Sequence, residues 1–275
     1  YIHGGVSRNV VEDIANIELR PTFVGIVDGS ALGEDVVKKL KNHKVNTDYV
    51  MTMPGGMGTW LAVFDHNGDL AGSISQRPNL MPILGLLEKK GDEIFANADS
   101  VIVEVDMDKD IIKKVVTLAK QYNKKLYGVV SNMSIAVERR DFLKHFDCFI
   151  CNQLEAGMLF MEDYADKSPE ELRDILSKRV ILGKIPAMIV TMGGNGAVYA
   201  DVNGEKGICP PQRVRVKDTT GAGDAFCAGV ASGLTYGKKL SEAVEIGSRL
   251  AASVITSSEN VCPRFLPEEF GITLD

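Results

Sequence analysis

Short apolar runs alternate with amphipathic stretches along most of this chain. The runs predict β-strands buried on both faces, over Thr22–Val27, Ser100–Val105, Leu126–Val130, Phe146–Cys151 and Ala187–Met192. Apolar positions at helical spacing predict helices over Leu32–His43, Asp108–Tyr122, Pro169–Leu182, Ala222–Tyr236 and Ser241–Ser257, the last with Ser241 as its N-cap. Strands that alternate with helices indicate an α/β fold, in which helices cover both faces of a mainly parallel sheet.

One segment breaks this alternation. Thr59–Asp65 and Asp69–Ser75 are both β-prone, and His66-Asn67-Gly68 separates them. Asn-Gly between two such runs is a strong hairpin signal. The hairpin is either a small lid beside the main sheet or an antiparallel edge of that sheet, and the pattern favours neither. Because no linker, charge block or repeat divides the chain, we interpret residues 1–275 as one main domain with a lid at residues 57–76.

The composition narrows the class of protein. The chain has 275 residues, of which 45% are hydrophobic and 25% charged, as is typical of a globular protein that buries a large core. Its net charge of −6 argues against a nucleic-acid binder, which normally carries a basic excess. No apolar run has the length of a membrane span, and the first residues do not resemble a signal peptide. We therefore expect a cytoplasmic protein that binds neither membrane nor nucleic acid.

Five scattered cysteines, an odd number, indicate reduced thiols and agree with that location. Cys148 and Cys151 form a lone C-x-x-C in the run F-D-C-F-I-C-N. A zinc site would need a second pair or nearby histidines, which this run lacks. Two half-buried strand residues are the favoured interpretation, and a redox pair is the alternative.

The strongest chemical signal is the run Asp218-Thr219-Thr220-Gly221-Ala222-Gly223-Asp224, just before a helix of small apolar residues. Its glycines permit a tight turn with uncovered N–H groups, and a helix start with such groups attracts anions. Asp224 would repel a bound anion unless it has another task. Accepting a proton from a hydroxyl that attacks a bound phosphorus is such a task. The alternative is a glycine-rich turn with an acid at the helix start.

This run resembles the signature of the PfkB (ribokinase-like) family of carbohydrate and nucleoside kinases. Three further elements in family order extend the resemblance over nearly the whole chain: Gly4-Gly5 with Asn9, the N-x-x-E run Asn152–Glu155, and the T-x-G-x-x-G run Thr191–Gly196. Each also has a structural interpretation, respectively a glycine turn before a helix, a capped surface helix, and a turn at a strand end. The resemblance implies a ribokinase-like three-layer α/β/α fold with a mainly parallel central sheet and a small β lid.

The resemblance also implies a role for each element. Gly221, Ala222 and Gly223 would form the anion hole for the transferred phosphate, with Asp224 as the base. Substrate binding would fall to Gly4, Gly5 and Asn9, and nucleotide binding to Asn152, Thr191, Gly193 and Gly196. Glu155 would organise Mg²⁺ through water. Asp218 and the carbonyl of Thr220 would hold a monovalent cation, K⁺ in many relatives, opposite a loop around Ser253–Cys262.

The segments between the motifs suggest a substrate. Gly58–Leu70 and Thr256–Pro263 resemble the lid and the chain end of pseudouridine kinases, as does the run that begins G-G-V-S-R-N. The leading hypothesis is therefore ATP-dependent phosphorylation of the 5′-hydroxyl of pseudouridine. Ribose, another nucleoside or another small sugar stays open, whereas a sugar phosphate is disfavoured because no arginine cluster is evident. Family lids pair between subunits, which implies a homodimer through the hairpin, with Trp60 and Phe64 as apolar contacts.

The sequence departs from the family pattern in three places. Asp28-Gly29-Ser30 stands where glycine-x-aspartate is usual, and Tyr127–Asn132 lacks an expected acid. Relatives also carry a strand and a sugar-binding aspartate before the Gly-Gly element, and this N-terminal strand is absent from the sequence before Tyr1. Either the numbering starts late or the protein is truncated, and in the second case one side of the sugar site would be open.

Two other classes of function are alternatives to a kinase. A non-catalytic relative that senses a sugar or nucleotide is the main alternative, and it would not need the base Asp224. A dinucleotide-dependent oxidoreductase is disfavoured, because no G-x-G-x-x-G follows the first strand.

Overall fold

A computed structural model describes residues 2–66 and 70–274. Within them, the strands are β1 (Thr22–Val27), β2 (Asn46–Thr52), β3 (Thr59–Phe64), β4 (Leu70–Gln76), β5 (Ser100–Glu104), β6 (Lys125–Val129), β7 (Cys148–Asn152), β8 (Ala187–Thr191), β9 (Ala197–Asp201) and β10 (Lys206–Cys209). The helices are α1 (Val6–Asn16), α2 (Ala31–Asn42), α3 (Pro82–Ala96), α4 (Lys109–Gln121), α5 (Met133–Ala136), α6 (Gln153–Phe160), α7 (Pro169–Gly183), α8 (Ala222–Thr235) and α9 (Leu240–Ile255). Short 3₁₀ helices cover Val137–His145, Gly193–Asn195 and Pro267–Phe270.

The main sheet has six strands in the order β10-β9-β8-β7-β6-β5. Strands β5 to β8 run parallel, whereas β9 and β10 are antiparallel additions at one edge. Strands β1 and β2 form a separate parallel pair. The α/β fold with a mainly parallel sheet is confirmed. The carboxyl ends of β5, β7 and β8 lie at one edge, which is where ligands of such sheets bind.

Helices cover both faces of the main sheet. On one face, α3, α4 and α7 pack through residues such as Phe95, Ile112 and Leu176. On the other face, α1, α8 and α9 supply residues that include Val10 and Val244. This arrangement is the three-layer α/β/α fold that the resemblance implied.

The C-x-x-C residues lie in β7 and belong to opposite faces of the sheet. Cys151 packs in the core under α3, α4 and α7, and Cys148 packs in the core under α1, α8 and α9. All five cysteines are free and buried. The prediction that Cys148 and Cys151 are strand residues is therefore confirmed, but both are buried rather than half-buried.

Several elements were not predicted from the pattern. Strand β2 alternates polar and half-buried residues rather than forming an apolar run, because it lies at the edge of a two-stranded sheet. Strands β9 and β10 are short, and the sequence pattern does not predict α3. The Ser241 cap was wrong: α9 begins at Leu240, and the N–H of Lys239 donates to the Glu242 carboxylate at 2.8 Å.

Helices α8 and α9 cross at very short range. A Cβ placed on Gly229 would lie 2.7 Å from the Cα of Gly247, and one on Gly247 would lie 2.7 Å from the carbonyl oxygen of Phe226. Only glycine permits this approach. The crossing fixes α8, and with it the residues at its start, firmly against the body of the protein.

Strands β3 and β4 pair with each other as an antiparallel two-stranded sheet, separate from the main sheet. The hairpin is therefore a lid rather than an edge of the main sheet. Its predicted Asn67-Gly68 turn lies outside the described residues, as does the side chain of Phe64. The Trp60 side chain is 63% exposed.

No helix within residues 2–66 and 70–274 combines the length and the apolar character that crossing a membrane requires.

Candidate active site

Helix α8 begins without a side-chain cap. Gly221 is the N-cap residue, with φ of 82°, and a Cβ at this position would lie 2.0 Å from the carbonyl oxygen of Asn260. The Ala222 N–H donates to the Thr219 carbonyl at 3.2 Å. The N–H groups of Gly223 and Asp224 lie in the first turn, where a helix offers no partner of its own. With the helix dipole behind them, these groups can bind an anion.

Asp224 follows directly on this uncapped turn. Its Oδ2 accepts a hydrogen bond of 2.7 Å from Nδ2 of Asn9, so the structure brings the early G-G…N element and the late glycine-rich run together. Burial raises the pKa of Asp224 to about 6. The bond from Asn9 and the charge of Arg8 oppose this shift, while Glu104 and Glu155 add to it. Asp224 is therefore mainly ionised at neutral pH, yet more basic than an exposed carboxylate.

The Gly4-Gly5 pair leads into α1. Gly5 has φ of 95° and accepts the first helical bond, from the N–H of Asn9 at 2.9 Å. A Cβ on Gly4 would touch nothing within 4 Å, so this backbone borders open space in which a ligand could lie close. Gly4 and Gly5 can therefore form the turn before α1 and also border a bound substrate. Their role in substrate binding stays a prediction.

Asn152 and Glu155 form a capping box at the start of α6. Asn152 Oδ1 accepts from the Glu155 N–H at 2.8 Å, and Glu155 Oε1 accepts from the Asn152 N–H at 2.9 Å. Asn152 is also the register partner of Thr191, so the N-x-x-E and T-x-G-x-x-G elements lie side by side at the ends of β7 and β8. A cleft of about 900 Å³ contacts Asn152, Thr191 and Gly193, but not Asp224.

Two of the three glycines between β8 and β9 have positive φ and form the turn between these strands. Gly193 has φ of 55° and Gly196 has φ of 87°. A Cβ on Gly196 would lie 2.1 Å from the carbonyl oxygen of Cys209, so Gly196 is required for the packing of this turn on β10. This contact explains Gly196 without a nucleotide. Gly193 lines the cleft, and its proposed nucleotide contact stays a prediction.

Asp218 and Thr220 lie in an exposed segment beside the end of α9. The Asp218 carboxylate accepts from the Thr220 N–H at 2.8 Å, and this bond lowers the pKa of Asp218. The Lys217 N–H donates to the Ile255 carbonyl at 2.7 Å. This bond places the segment next to the loop around Ser253–Cys262, which the family resemblance implies as its partner. Among the described residues, no three His, Cys, Asp or Glu side chains cluster as metal ligands, so a cation here would depend mainly on carbonyl oxygens.

Two acidic residues of the site were missed by the sequence analysis. Glu104 ends β5 and accepts from the N–H and Oγ of Ser7, at 3.1 and 2.8 Å. Asp106 is buried and accepts from the Ser131 N–H at 2.9 Å and from Arg77, at the base of the lid, at 2.8 Å. The signal in the sequence that could have identified Glu104 is a charged residue at the end of an otherwise apolar strand.

The acidic groups at the strand ends affect one another. Burial raises the pKa values of Glu104 and Glu155, and the charge of Asp106 contributes to both shifts. Glu104 and Glu155 in turn help to raise the pKa of Asp224. The site therefore gathers acidic groups beside the uncapped start of α8, and burial makes Glu104 and Glu155 harder to ionise than exposed carboxyls.

Two further residues that the sequence analysis did not identify contact Asn9. Arg8 is buried beside it on α1, and Asn260 donates from Nδ2 to Asn9 Oδ1 at 3.3 Å and to the His3 carbonyl at 2.8 Å. Arg8 lies within the G-G…N run, where no feature of the sequence distinguishes it. Asn260 lies in Thr256–Pro263, a segment that resembles pseudouridine kinases.

Comparison with known proteins is consistent with this site. The model of the family described as "pfkB family carbohydrate kinase" matches residues 1–262. A guanosine-inosine kinase of Exiguobacterium acetylicum is 33% identical over 264 residues, which cover 94% of this chain and 86% of the relative. The pseudouridine kinase of Escherichia coli is 23% identical over 92% of this chain and 80% of that enzyme.

Solved structures show the same fold. A ribokinase of Arabidopsis thaliana, in complex with ribose and ATP, superposes with a TM-score of 0.83 at 19% identity, covering 99% of this chain and 88% of that chain. An adenosine kinase of Sinorhizobium meliloti gives a TM-score of 0.77 at 21% identity, over 94% and 79% of the two chains.

Proposed function

This chain belongs to the pfkB family of carbohydrate kinases, and we propose that it transfers the γ-phosphate of ATP to the 5′-hydroxyl of a nucleoside. The observation that carries the proposal is the direct bond between Asn9 and Asp224 at the uncapped start of α8. It joins the proposed substrate element to an ionisable group beside an anion-binding turn.

Asp224 is the proposed base. With a pKa of about 6 it is mainly ionised at neutral pH, so it can accept the proton of an attacking hydroxyl. Phosphoryl transfer passes through a loose transition state, in which the hydroxyl becomes acidic late. A well-placed weak base therefore suffices, and placement is the contribution that the fold supplies.

The turn formed by Gly221, Ala222 and Gly223 is the proposed anion hole. Its free N–H groups donate to the oxygens of the transferred phosphate, where negative charge must be stabilised during transfer. Since no side chain covers these groups, a phosphate oxygen can approach the backbone directly.

The acidic groups at the strand ends would attract Mg²⁺ through its water shell, because among the described residues no three of them cluster as direct metal ligands. Glu155 would hold it through water, beside the phosphates that Asn152 and Thr191 would contact. When bound, Mg²⁺ neutralises charge on the β- and γ-phosphate oxygens. The chain's own contribution is the concentration of charge from Asp106, Glu104 and Glu155, which attracts a hard cation. We also propose that Asp218 and the carbonyl of Thr220 would hold K⁺, as the family resemblance implies.

Guanosine and inosine are the leading substrates in this proposal. The relative named for them is 33% identical, against 23% for the pseudouridine kinase, which was the leading hypothesis from the sequence. Pseudouridine is kept as the second candidate because of the lid and chain-end likenesses. Ribose is also tested, because two relatives named ribokinase are 21 and 24% identical to this chain.

The test is ADP release with ATP, Mg²⁺ and K⁺ over a panel of guanosine, inosine, pseudouridine, adenosine, uridine, ribose and fructose. Turnover that is at least tenfold faster in kcat/KM with guanosine or inosine supports the leading assignment. Preference for pseudouridine or ribose would retain the kinase and reject the purine assignment. Phosphate analysis of the product by ³¹P NMR shows whether the 5′-hydroxyl is the acceptor.

We also propose that the lid pairs with that of a second copy. The proposed contact face carries Leu61, Val63 and Ile74, which are 61, 55 and 72% exposed, with Leu61 directly opposite Ile74. This face is the opposite one from Trp60, which the sequence analysis named as a contact. Isolated two-stranded hairpins are marginal in water, so burial of this face would stabilise the lid. Sedimentation velocity of Ile74→Ser should show dissociation, whereas the exposed Leu182→Ser on α7 should not. Equal sedimentation of both variants as monomers, with a monomeric parent, would reject the pairing.

A further inference from the structure

The Arg8 side chain is buried, and every nitrogen of its guanidinium has an acceptor. Nε donates to the Gly4 carbonyl at 2.9 Å, and Nη2 donates to the His3 carbonyl at 2.9 Å. Nη1 pairs with the Glu12 carboxylate one turn further along α1, and Nη2 also donates to Oδ1 of Asn9. This fork holds the Gly-Gly turn, the helix and the Asn9 amide in one arrangement.

The surroundings of Asn9 permit one orientation of its amide. Oδ1 accepts from Arg8 and from Nδ2 of Asn260, which are both donors only. Nδ2 donates to Asp224, which is an acceptor when ionised. If the amide were reversed, its NH₂ would face two donors and its oxygen would face a carboxylate. Arg8 therefore determines which end of the amide Asp224 meets.

The orientation matters for the carboxylate. Among the described residues, Asn9 is the group that donates a hydrogen bond to Asp224, and this bond fixes Oδ2. With one oxygen fixed, the plane of the carboxylate is fixed, and Oδ1 is left for a substrate hydroxyl. A base that must act with a weak driving force depends on such placement.

Arg8 cannot perform the alternative role of binding substrate directly. Its guanidinium nitrogens are all engaged, and the side chain is 6% exposed. Glu12, its anionic partner, is fully buried and has Lys39 Nζ at 3.5 Å on its other oxygen, which anchors the pair from behind. The charge of Arg8 thus acts within the protein rather than on a ligand.

We propose that Arg8 is a positioning residue for phosphoryl transfer, which orients the Asn9 amide so that its Nδ2 holds the Asp224 carboxylate in place. The proposal rests on the proposed role of Asp224 as the base. It assigns to Asn9 a contact with the base, in addition to the substrate role that the resemblance implied.

The first test is a double-mutant cycle with Arg8→Lys and Asn9→Ala. Arg8→Lys keeps the charge but loses the fork, so kcat at pH 7 should fall about 10- to 100-fold while the Kd for ATP changes less than about twofold. In the Asn9→Ala background, Arg8→Lys should change kcat by less than about threefold, because its effect passes through Asn9. If the two effects multiply as independent losses, the proposal is overturned.

The matched control is Arg139→Lys. Arg139 is also buried and also donates from Nε to a carbonyl, that of Met107, but it does not contact Asn9. Both lysine variants should lower the melting temperature, and Arg8→Lys alone should lower kcat. A similar loss of kcat in both would indicate that Arg8 only supports the fold.

The second test does not depend on turnover, so it separates this inference from the proposed function. The Asp224 carboxyl is titrated by ¹³C NMR in the parent and in Arg8→Gln. Loss of the positive charge and of the oriented amide should raise the Asp224 pKa, since both lower it in the parent. An unchanged titration would overturn the proposal even if the parent is an active kinase. Failure of the parent on every substrate, with a raised pKa in Arg8→Gln, would instead reject the proposed function.

Arg8→Ala provides a third arm if the polar variants do not fold. The truncated side chain leaves a space lined by the acceptors of the fork, into which free guanidinium can bind. Low millimolar guanidinium should restore kcat at least about fivefold, while equal concentrations of urea or sodium chloride should not. Absence of rescue in a folded Arg8→Ala variant that has lost activity would count against the oriented fork.

Discussion

Helices α7 and α8 begin in opposite ways. At α7, Ser168 Oγ accepts from the Glu171 N–H at 3.1 Å, and Glu171 accepts from the Ser168 N–H at 2.8 Å. At α8, the corresponding residue is Gly221, which has no side chain to offer. A cap of the α7 kind typically stabilises a helix by about 1 kcal/mol. Its absence at α8 leaves the helix start available to a ligand.

The acids at these two starts occupy the same position, the third residue of each helix. Glu171 is exposed, and the hydrogen bond from the Ser168 N–H lowers its pKa. Asp224 is partly buried beside other carboxylates, and its pKa is raised to about 6. One acid therefore completes a cap, and the other is held ready to take a proton. The same position in a helix supports structure or chemistry according to burial and neighbouring charge.

The largest difference between the two acids should appear in turnover. Asp224→Asn should lower kcat by about 10³-fold or more, because the amide cannot accept the proton in transfer. ATP binding measured by calorimetry should stay within about threefold of the parent, since the glycine turn is intact. Glu171→Gln makes the matching change at α7 and should leave kcat unchanged. Turnover of Asp224→Asn within tenfold of the parent would reject Asp224 as the base.

The same substitution should increase stability. Because the pKa of Asp224 is raised in the folded state, ionisation destabilises the fold progressively from about pH 4 to about pH 6. Asp224→Asn should therefore be more stable than the parent above pH 6, by up to about 3 kcal/mol, and the difference should vanish below pH 4. Urea unfolding at pH 3.5, 5 and 8 measures it. A difference that does not depend on pH would show that ionisation is not the cause.

The two glycines of the α8 start should respond differently to alanine, with Gly221 the more sensitive in stability. Gly221→Ala places a Cβ at positive φ and 2.0 Å from the Asn260 carbonyl oxygen. We expect a loss of at least about 2 kcal/mol in the free energy of unfolding. Urea denaturation measures this loss, and wild-type stability of the variant would contradict the described turn.

Gly223→Ala should instead separate stability from activity. A Cβ at Gly223 has no neighbour within 4 Å, and Gly223 lies inside the helix, where alanine is favoured by up to about 1 kcal/mol. The new methyl group would occupy the space proposed for the phosphate, so kcat/KM for ATP should fall about tenfold or more. Full activity in this variant would place the phosphate elsewhere.

The smallest effect should come from the capped helix. Ser168→Ala removes the hydroxyl that accepts the Glu171 N–H and should lower stability by about 1 kcal/mol. Turnover should not change, since α7 begins away from the acidic groups of the site. A change in the pH profile of kcat would show that the two helix starts are coupled.

The sequence reveals the parts of the site that follow from local backbone requirements. Gly221 is needed because its conformation and its approach to Asn260 exclude other residues, and such glycines can be read without a structure. Asp224 stands out because an acid beside an anion-binding turn needs an explanation. The main strands were also predictable, since burial on both faces leaves continuous apolar runs.

The rest of the site depends on contacts between distant segments. Arg8 and Asn9 are adjacent in sequence, but Asn260, which donates to Asn9, lies in the last part of the chain, and no local pattern predicts that contact. Glu104 ends the apolar strand β5 and Asp106 lies two residues beyond it, and the apolar pattern that predicts this strand does not depend on either acid. Strand β2 was missed because an edge strand is half-exposed and its alternation is weak.

The lid contains the single tryptophan of the chain, and this gives the molecule an intrinsic optical probe at a useful place. Tyrosine and phenylalanine are distributed through the rest of the fold, but excitation at the red edge of protein absorption selects Trp60. Its water-exposed indole should emit at long wavelength in the free enzyme. A shift of that emission toward the blue on addition of nucleoside or ATP would report closure of the lid over the ligand. The same shift at higher protein concentration would report pairing of lids, and neither measurement needs a label.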